Sequence, residues 1–268
     1  GRARRGADEH MTRRIDLNAD IGESYGPWRL ADDNAIMDCV SSVNIACGGH
    51  AGDPDTIVAT VTEAQARGLG VGAHPGYDDK QGFGRRVIAM STAEIERMIA
   101  YQIGGLAACA ALVGARVDHI KAHGALANLA ARDSDVAGAV ARAAHAVAPE
   151  AWLLAIAGTE IERVGEKAGL RVAREIFADR AYDEEGHLMP RGTVGAVLTD
   201  PDFIAERAIA MLDAGALITE SGRHLRTPID SICIHSDTPG ALPIAQKVRA
   251  ALDAAGYAVQ PFSLGDAS

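Results

Sequence analysis

An α/β barrel of about seven parallel strands, of the irregular TIM-like kind, is the fold this sequence predicts. Three observations predict it. Strand-like and helix-like segments alternate along most of the chain, several strands alternate apolar with polar residues, and the length of 268 residues suits a closed barrel. Alternating β and α segments give a parallel sheet. A length near the ~250 residues typical of barrels favours a ring over an open doubly wound sheet. No GxGxxG turn follows the first strand, which removes the best argument for the open alternative.

In chain order the strand candidates are residues 15–19, 42–46, 69–74, 117–122, 152–156, 172–177 and 231–235, with 257–261 as a further one. On the first, Ile15, Leu17, Ala19 and Ile21 share one face while Asp16, Asn18 and Asp20 share the other. On the third, Leu69, Val71 and Ala73 oppose Gly70, Gly72 and His74. On the fourth, Ile120 and Ala122 oppose His119, Lys121 and His123, and on the seventh Ile232 and Ile234 oppose Ser231, Cys233 and His235. Side chains alternate across a strand with period two. The apolar sets therefore turn out toward helices and the polar sets turn into the barrel. Buried ionisable groups are costly unless they pair or react.

The helices announce themselves by caps. Asp53-Pro54 and Asp200-Pro201 each place an acid at the N-cap and proline at the first helical position. Ser91 to Glu94 spell a capping box, followed by Ile95, Met98, Ile99, Ile103 and Leu106 on one face. Asp200-Pro201 leads into Ile204, Ala208, Met211 and Leu212, and Thr238-Pro239 leads into Ile244, Val248 and Leu252. Each helix has one stripe to pack against the sheet.

One domain over 12–268 is expected, with residues 1–11 set aside as a loose arm or expression remnant and Met11 as a candidate natural start. The net charge of −10 argues against a nucleic-acid surface, which needs a basic field. No apolar run approaches the ~20 residues that span a bilayer, and no secretory leader precedes the first strand. The four scattered cysteines, with no CxxC pair, fit a reduced cytoplasmic protein.

Each polar strand ends in a loop rich in reactive groups, at the face where barrel enzymes place their chemistry. Residues 16–23 read DLNADIGE, 44–54 NIACGGHAGDP, 72–77 GAHPGY, 82–86 GFGRR, 121–126 KAHGAL, 175–182 EIFADRAY and 235–241 HSDTPGA. In these ordered segments the chain resembles the LamB/YcsF family, whose members are described as the A component of a prokaryotic 5-oxoprolinase. Two departures stand out: Gly49 where the family more often has an aromatic, and Ala127 where a tyrosine commonly follows HGAL. Both are expected to widen the pocket.

The resemblance implies a glycoside hydrolase/deacetylase-like barrel. It also implies ATP-dependent opening of 5-oxo-L-proline to L-glutamate, together with partner subunits B and C. Hydrolysis of a lactam needs a general base, a proton donor for the departing nitrogen and donors for the developing oxyanion. Asp20 or Glu175 is the expected base, and His74 and His123 stand at strand ends suited to proton transfer. Lys121 is the expected cation for phosphate or oxyanion charge, and Arg86 or Arg180 the fork for the substrate carboxylate. Asn18, Asn44, His50, His235 and Asp237 complete the expected binding set. The expected cofactor is ATP with Mg2+, although no GxxxxGK[ST] loop occurs.

A homo-oligomer is left open, and neither nucleic acid nor membrane is an expected partner. The competing reading is a stand-alone metal-dependent, deacetylase-like amide hydrolase, with Asp20, His50 and His74 as ligands. A third reading is a non-catalytic subunit that binds a small acid. His119, His145, His187 and His224 read as ordinary residues, and Cys47 and Cys233 as packing residues rather than nucleophiles.

Overall fold

A computed structural model describes residues 13–238 and 240–264 of the chain. The arm expected over 1–11 and the Pro239 helix lead lie outside the described residues. The strands are β1 (Arg13–Ile21), β2 (Ser42–Ala46), β3 (Gly70–His74), β4 (His119–Ile120), β5 (Trp152–Ile156), β6 (Val172–Phe177), β7 (Ala216–Ile218), β8 (His224–Arg226), β9 (Ser231–Ile234) and β10 (Tyr257–Val259). The helices are α1 (Asp33–Met37), α2 (Pro54–Ala66), α3 (Thr92–Leu112), α4 (Gly124–Ala130), α5 (Ser134–Val147), α6 (Glu160–Lys167), α7 (Pro201–Ala214) and α8 (Ala241–Ala254).

Seven parallel strands close a ring in the order β1-β2-β3-β4-β5-β6-β9, with β9 pairing back onto β1. The strand expected at 257–261 is β10, and it stands outside that ring. It pairs with Arg13 to Ile15 at the start of β1, and β9 takes over the same edge from Asp16 onward. β4 is shorter than its sequence pattern. Past Ile120 the ladder thins to single bonds, Lys121 N–H to the Ala73 carbonyl and His123 N–H to the Pro75 carbonyl, as the chain turns into α4. The antiparallel β7-β8 hairpin and helices α1, α4, α5 and α6 had no counterpart in the sequence reading.

The in-and-out alternation holds. Leu17, Ile21, Val43, Ile45, Ile120, Ile232 and Ile234 are fully buried against helix residues such as Val61, Ile99, Ile103, Ile204 and Val248. Inside the ring, Asp16 accepts from the hydroxyls of Ser41, Ser42 and Ser231. One level up, Asn44 Nδ2 donates to Asn18 Oδ1 at 2.7 Å, and the His119 ring reaches Asn44 Oδ1 at 2.8 Å. That ring fits only because β3 has glycine beside it: a Cβ on Gly72 would lie 2.1 Å from His119 Nε2. Phe262, packed edge-on against His119 and Trp152, covers this end of the ring.

The caps behave as their chemistry dictates. Asp53 and Asp200 accept from the first-turn N–H groups of α2 and α7, and Ser91 and Glu94 form the reciprocal capping box of α3. The helix expected after Thr238-Pro239 starts at Ala241, with Gly240 as its cap.

Candidate active site

At the C-terminal ends of the strands the interior polar column opens into a cavity of about 520 Å³. Lys121 stands at its floor. Its Nζ lies 3.0 Å from Glu175 Oε2, 3.1 Å from Asp20 Oδ1, 3.3 Å from Asn18 Oδ1 and 3.0 Å from Cys233 Sγ. Burial opposes its charge, yet the attraction of Asp20 and Glu175 pushes its pKa well above the ordinary lysine value. Glu175 is moved the other way: burial raises its carboxyl, and Lys121 offsets only part of that.

Asp20 is the most constrained carboxylate. Its Oδ1 takes Lys121, Asn44 Nδ2 at 2.9 Å and His74 Nε2 at 3.4 Å. Burial alone would raise its pKa, but His74 and Lys121 together hold it well below the usual range. Asp20 is therefore ionised, with one oxygen tied down. The other, Oδ2, faces His235 Nε2 across 3.9 Å. His235 is oriented from behind by Asp179, whose carboxylate lies 2.9 Å and 3.1 Å from Nδ1 and also accepts from Thr238 at 2.8 Å. A carboxylate on Nδ1 fixes the proton there, so Nε2 keeps its lone pair toward the cavity. The Phe177 ring stacks on His235 and carries the Lys121 ammonium on its face.

A second group adjoins the first. His74 Nδ1 donates to the Lys121 carbonyl at 2.9 Å, and His123 Nε2 donates to the Phe83 carbonyl at 2.8 Å. Their other nitrogens approach to 3.0 Å. His50 stacks on His123 at 3.5 Å between centroids and places Nε2 2.9 Å from Glu23 Oε1. Burial holds the pKa of His50 and of His123 well below normal, and raises that of Glu23 well above, with Asp20 adding to the rise.

Several expectations change with these positions. Asp20, His74, Lys121, His123, Arg180 and His235 do line the cavity. Asn18, Asn44 and Glu175 stand behind its wall, satisfied by protein groups, and support the lining; His50 also stands behind it, stacked on His123 with its Nδ1 unpartnered. Arg86 is not at the cavity. It ion-pairs with Asp79, with 63% of its side chain exposed, and its neighbour Arg85 lines the cavity instead. Arg85 pairs with Asp237 at 2.6 Å, which puts Asp237 beside the rim. Arg180 spends two donors on the carbonyls of Ala196 and Met189, and burial lowers its pKa to about 10.

The metal set expected from Asp20, His50 and His74 does not converge. The donor atoms that cluster are those of Glu23, His50, His74 and His123, separately those of Asp20, Cys233 and His235, and, at a more exposed position, those of Asp183, Glu185 and His187. Gly49 opens no extra space, because a Cβ there would stand 2.6 Å from Gln102 Oε1. Gln102 fills the gap and bonds both the N–H and the carbonyl of Gly76. Ala127 does line the cavity. Burial pushes the Cys47 thiol up to about 12 and raises Cys233 as well, so neither is a thiolate near neutral pH.

Glu23, Arg85, Asp179 and Phe177 carry the site without having been assigned a role from sequence. All four lie inside the quoted motifs, so the motif ends were the available signal. Arg191, which lines the cavity from the loop between β6 and α7, sits in no motif.

Comparison with known proteins follows the same lines. Residues 15–266 match the LamB/YcsF family. The chain is 50% identical over 251 residues to the 5-oxoprolinase A component of Rhodopseudomonas palustris (strain BisB5), covering 93% of this chain and 99% of the relative. It is 50% identical over 246 residues to the 5-oxoprolinase A component of Gluconobacter oxydans (strain 621H), covering 92% and 97%. Among solved structures it is similar to a lactam utilization protein from Thermus thermophilus, with a TM-score of 0.86, 43% identity, and 92% and 99% of the two chains covered. A GH113 β-1,4-mannanase, 9% identical with a TM-score of 0.52 over 90% and 99% of the two chains, shares the fold alone.

Proposed function

The chain belongs to the LamB/YcsF family, and from that membership we propose that it is the A component of a 5-oxoprolinase, hydrolysing the lactam of 5-oxo-L-proline to L-glutamate with ATP and partner subunits B and C. Hydrolysis adds water across the amide: oxygen bonds to the ring carbonyl carbon, the C–N bond breaks, and the nitrogen leaves with a proton. The barrier is high because amide resonance protects the carbonyl, as the roughly 18–20 kcal/mol rotation barrier of a peptide bond shows.

The observation that carries this reading is the opposed pair at the cavity floor. Asp20 Oδ2 and His235 Nε2 face each other across 3.9 Å, each held by its other atom to a fixed partner. One water between them would meet two proton acceptors, which is the arrangement a general base needs. Lys121, charged and anchored, supplies the fixed positive charge toward which a developing oxyanion is drawn. Arg85 replaces Arg86 as the guanidinium for the substrate carboxylate.

Transfer of the γ-phosphoryl group of ATP to the amide oxygen would release ADP and make the ring carbon a better electrophile; water addition and C–N cleavage would then leave an acyl phosphate, which a second water hydrolyses to glutamate and phosphate. The cavity has the donor chemistry for phosphate oxygens, because Arg85, Arg132, Arg180 and Arg191 all line it. These residues would hold the phosphates without a P-loop, and Mg2+ carried with the nucleotide needs no dedicated protein cage. Among the described residues no helix is long and apolar enough to cross a membrane. Dependence on ATP and free thiols points to the cytoplasm.

The test is glutamate release from 5-oxo-L-proline, with and without ATP and with and without the two partner proteins. Glutamate from the complete mixture alone is the expected result. No glutamate from that mixture, or equal turnover by this chain without ATP, would overturn the proposal.

A further inference from the structure

The second histidine group has a charge problem that its hydrogen bonds expose. His74 gives its Nδ1 proton to the Lys121 carbonyl, and His123 gives its Nε2 proton to the Phe83 carbonyl. A carbonyl oxygen can only accept, so both outer nitrogens carry protons. In neutral rings the two inner nitrogens, His74 Nε2 and His123 Nδ1, then both present lone pairs, and they face each other at 3.0 Å. Glu23 Oε1 stands 3.7 Å from that same His123 nitrogen and 2.9 Å from His50 Nε2. Glu23 Oε1, His74 Nε2 and His123 Nδ1 thus turn lone pairs to one buried space, and His50 Nε2 joins them when its ring carries the proton on Nδ1, which has no hydrogen-bond partner; His50, His74, His123 and Glu23 are all under 8% exposed. Something positive belongs among them.

We propose that Glu23, His50, His74 and His123 bind a divalent transition-metal ion of the zinc class through Glu23 Oε1, His50 Nε2, His74 Nε2 and His123 Nδ1. All four donor atoms lie within 4.8 Å of one another. A tetrahedral ion with ligand bonds of about 2.0–2.2 Å needs ligand-to-ligand edges of roughly 3.3–3.6 Å. Three of the six separations, 2.9, 3.0 and 3.7 Å, lie on both sides of that value, and the other three are within 4.8 Å, so the four donors draw together to complete the shell.

The surroundings are built as metal sites are. Two of the imidazoles donate their outer N–H to backbone carbonyls, which fixes the tautomer that ligates. The rings have no room to swing: a Cβ on Gly84 would lie 2.8 Å from both His123 Cδ2 and His50 Cβ, and one on Gly76 would lie 3.1 Å from His50 Nδ1. Three imidazoles and one carboxylate suit Zn2+, Co2+ or Ni2+ better than Ca2+ or Mg2+, which prefer oxygen. His74 and His123 also line the cavity, so the ion would sit in its wall, where a shell closed by four protein ligands would hold the three imidazoles in place. The shell takes His74 Nε2 from its 3.4 Å approach to Asp20 Oδ1 and leaves Asp20 Oδ2, His235 and Lys121 outside it for the proposed hydrolysis.

The experiment is metal content of the purified full chain, followed by stripping with a chelator and titration with Zn2+ and Co2+. Calorimetry, the visible bands of tetrahedral Co2+ and the metal-induced rise in Tm are the readouts. The expected result is one ion per chain. Glu23→Gln and His50→Asn are each expected to weaken binding about 100-fold, or about 2.8 kcal/mol at 1.4 kcal/mol per tenfold step. Circular dichroism checks that each variant is folded. Absence of saturable binding by the wild-type chain would overturn the proposal, because the bridging charge is then a proton. So would unchanged affinity in a folded variant. Glutamate release is measured separately, so failure here leaves the oxoprolinase reading standing, and the reverse.

Discussion

Replacing Lys121 by methionine tests the idea that one buried ammonium makes the polar interior tolerable. Methionine keeps the length and most of the volume but removes the charge that Asp20 and Glu175 share at 3.1 and 3.0 Å. Removing one partner of a buried ion pair costs about 3–5 kcal/mol, because the other charge is left unpaired in low dielectric. At about 2–4 °C per kcal/mol for a chain of this size, Tm should fall by roughly 6–20 °C. The pH dependence carries a sign that distinguishes this cause from simple repacking. In the wild type the raised Lys121 pKa means its contribution is complete below the unfolded lysine value and is lost only as pH rises past the folded one. It is therefore constant between pH 5 and 8. In K121M the abandoned carboxylates acquire folded pKa values above their unfolded ones, so stability is present at low pH and lost as pH rises. The deficit should then grow from pH 5 to pH 8, and Glu175→Gln in the same chain should recover part of it. Thermal melts at the two pH values measure this. A drop of less than about 3 °C, or a deficit equal at both pH values, would refute the reasoning.

Asp20→Asn keeps an oxygen for Lys121 but removes the base, and turnover in the complete mixture should fall a hundredfold or more; activity within tenfold of wild type would remove Asp20 from the mechanism. Arg85→Ala should lower kcat/KM by about 10–100-fold, the loss of a charge-assisted contact, whereas Arg86→Ala should change it less than about threefold because Arg86 faces Asp79 outside the cavity. Equal effects of the two would undo the reassignment. Burial raises Asp16 to about 6 from an ordinary 3.8, so its folded pKa exceeds its unfolded one and stability declines as pH rises between those values, by about 3 kcal/mol at most. Asp16→Asn should flatten that decline in melts from pH 4 to pH 7, and an unchanged slope would contradict the assignment.

The ring of strands was legible because its signal is local. A residue's face on a strand follows from its parity, so Ile15, Leu17 and Ala19 had to share the helix side once Asp16, Asn18 and Asp20 shared the other. The edges of that pattern were not local. β10 and β9 compete for the same side of β1, and only the register decides that β9 closes the ring above Ile15. The β7-β8 hairpin has strands of three residues, too short for an alternation to register, and its local signal was only the Ser221-Gly222 turn, where Gly222 adopts a φ of 85°.

The site was legible as a list of residues and not as a division of labour, for a physical reason. Parity places Asn18, Asn44, Asp20 and Glu175 in the interior alike, but says nothing about depth along the barrel axis. Depth decides the role: the lower residues are surrounded by donors and acceptors from three or four strands and have no valence left for a ligand. Asn18 is spent on Glu175, Ser231 and Asn44. Only groups on the last interior level, where strands give way to loops, keep an atom unpaired. Asp20 Oδ2 and His235 Nε2 are such atoms, and each is free because its other end is bound. Arg85 and Arg86 show the same limit in a loop, where no parity rule chooses which of two adjacent guanidiniums turns inward. Asp79 settles it by capturing Arg86 and bonding the Gly82 N–H. The stability of the interior and the selection of the reactive atoms are thus one arrangement, because the donors that neutralise buried charge below are what leave particular oxygens and nitrogens exposed above.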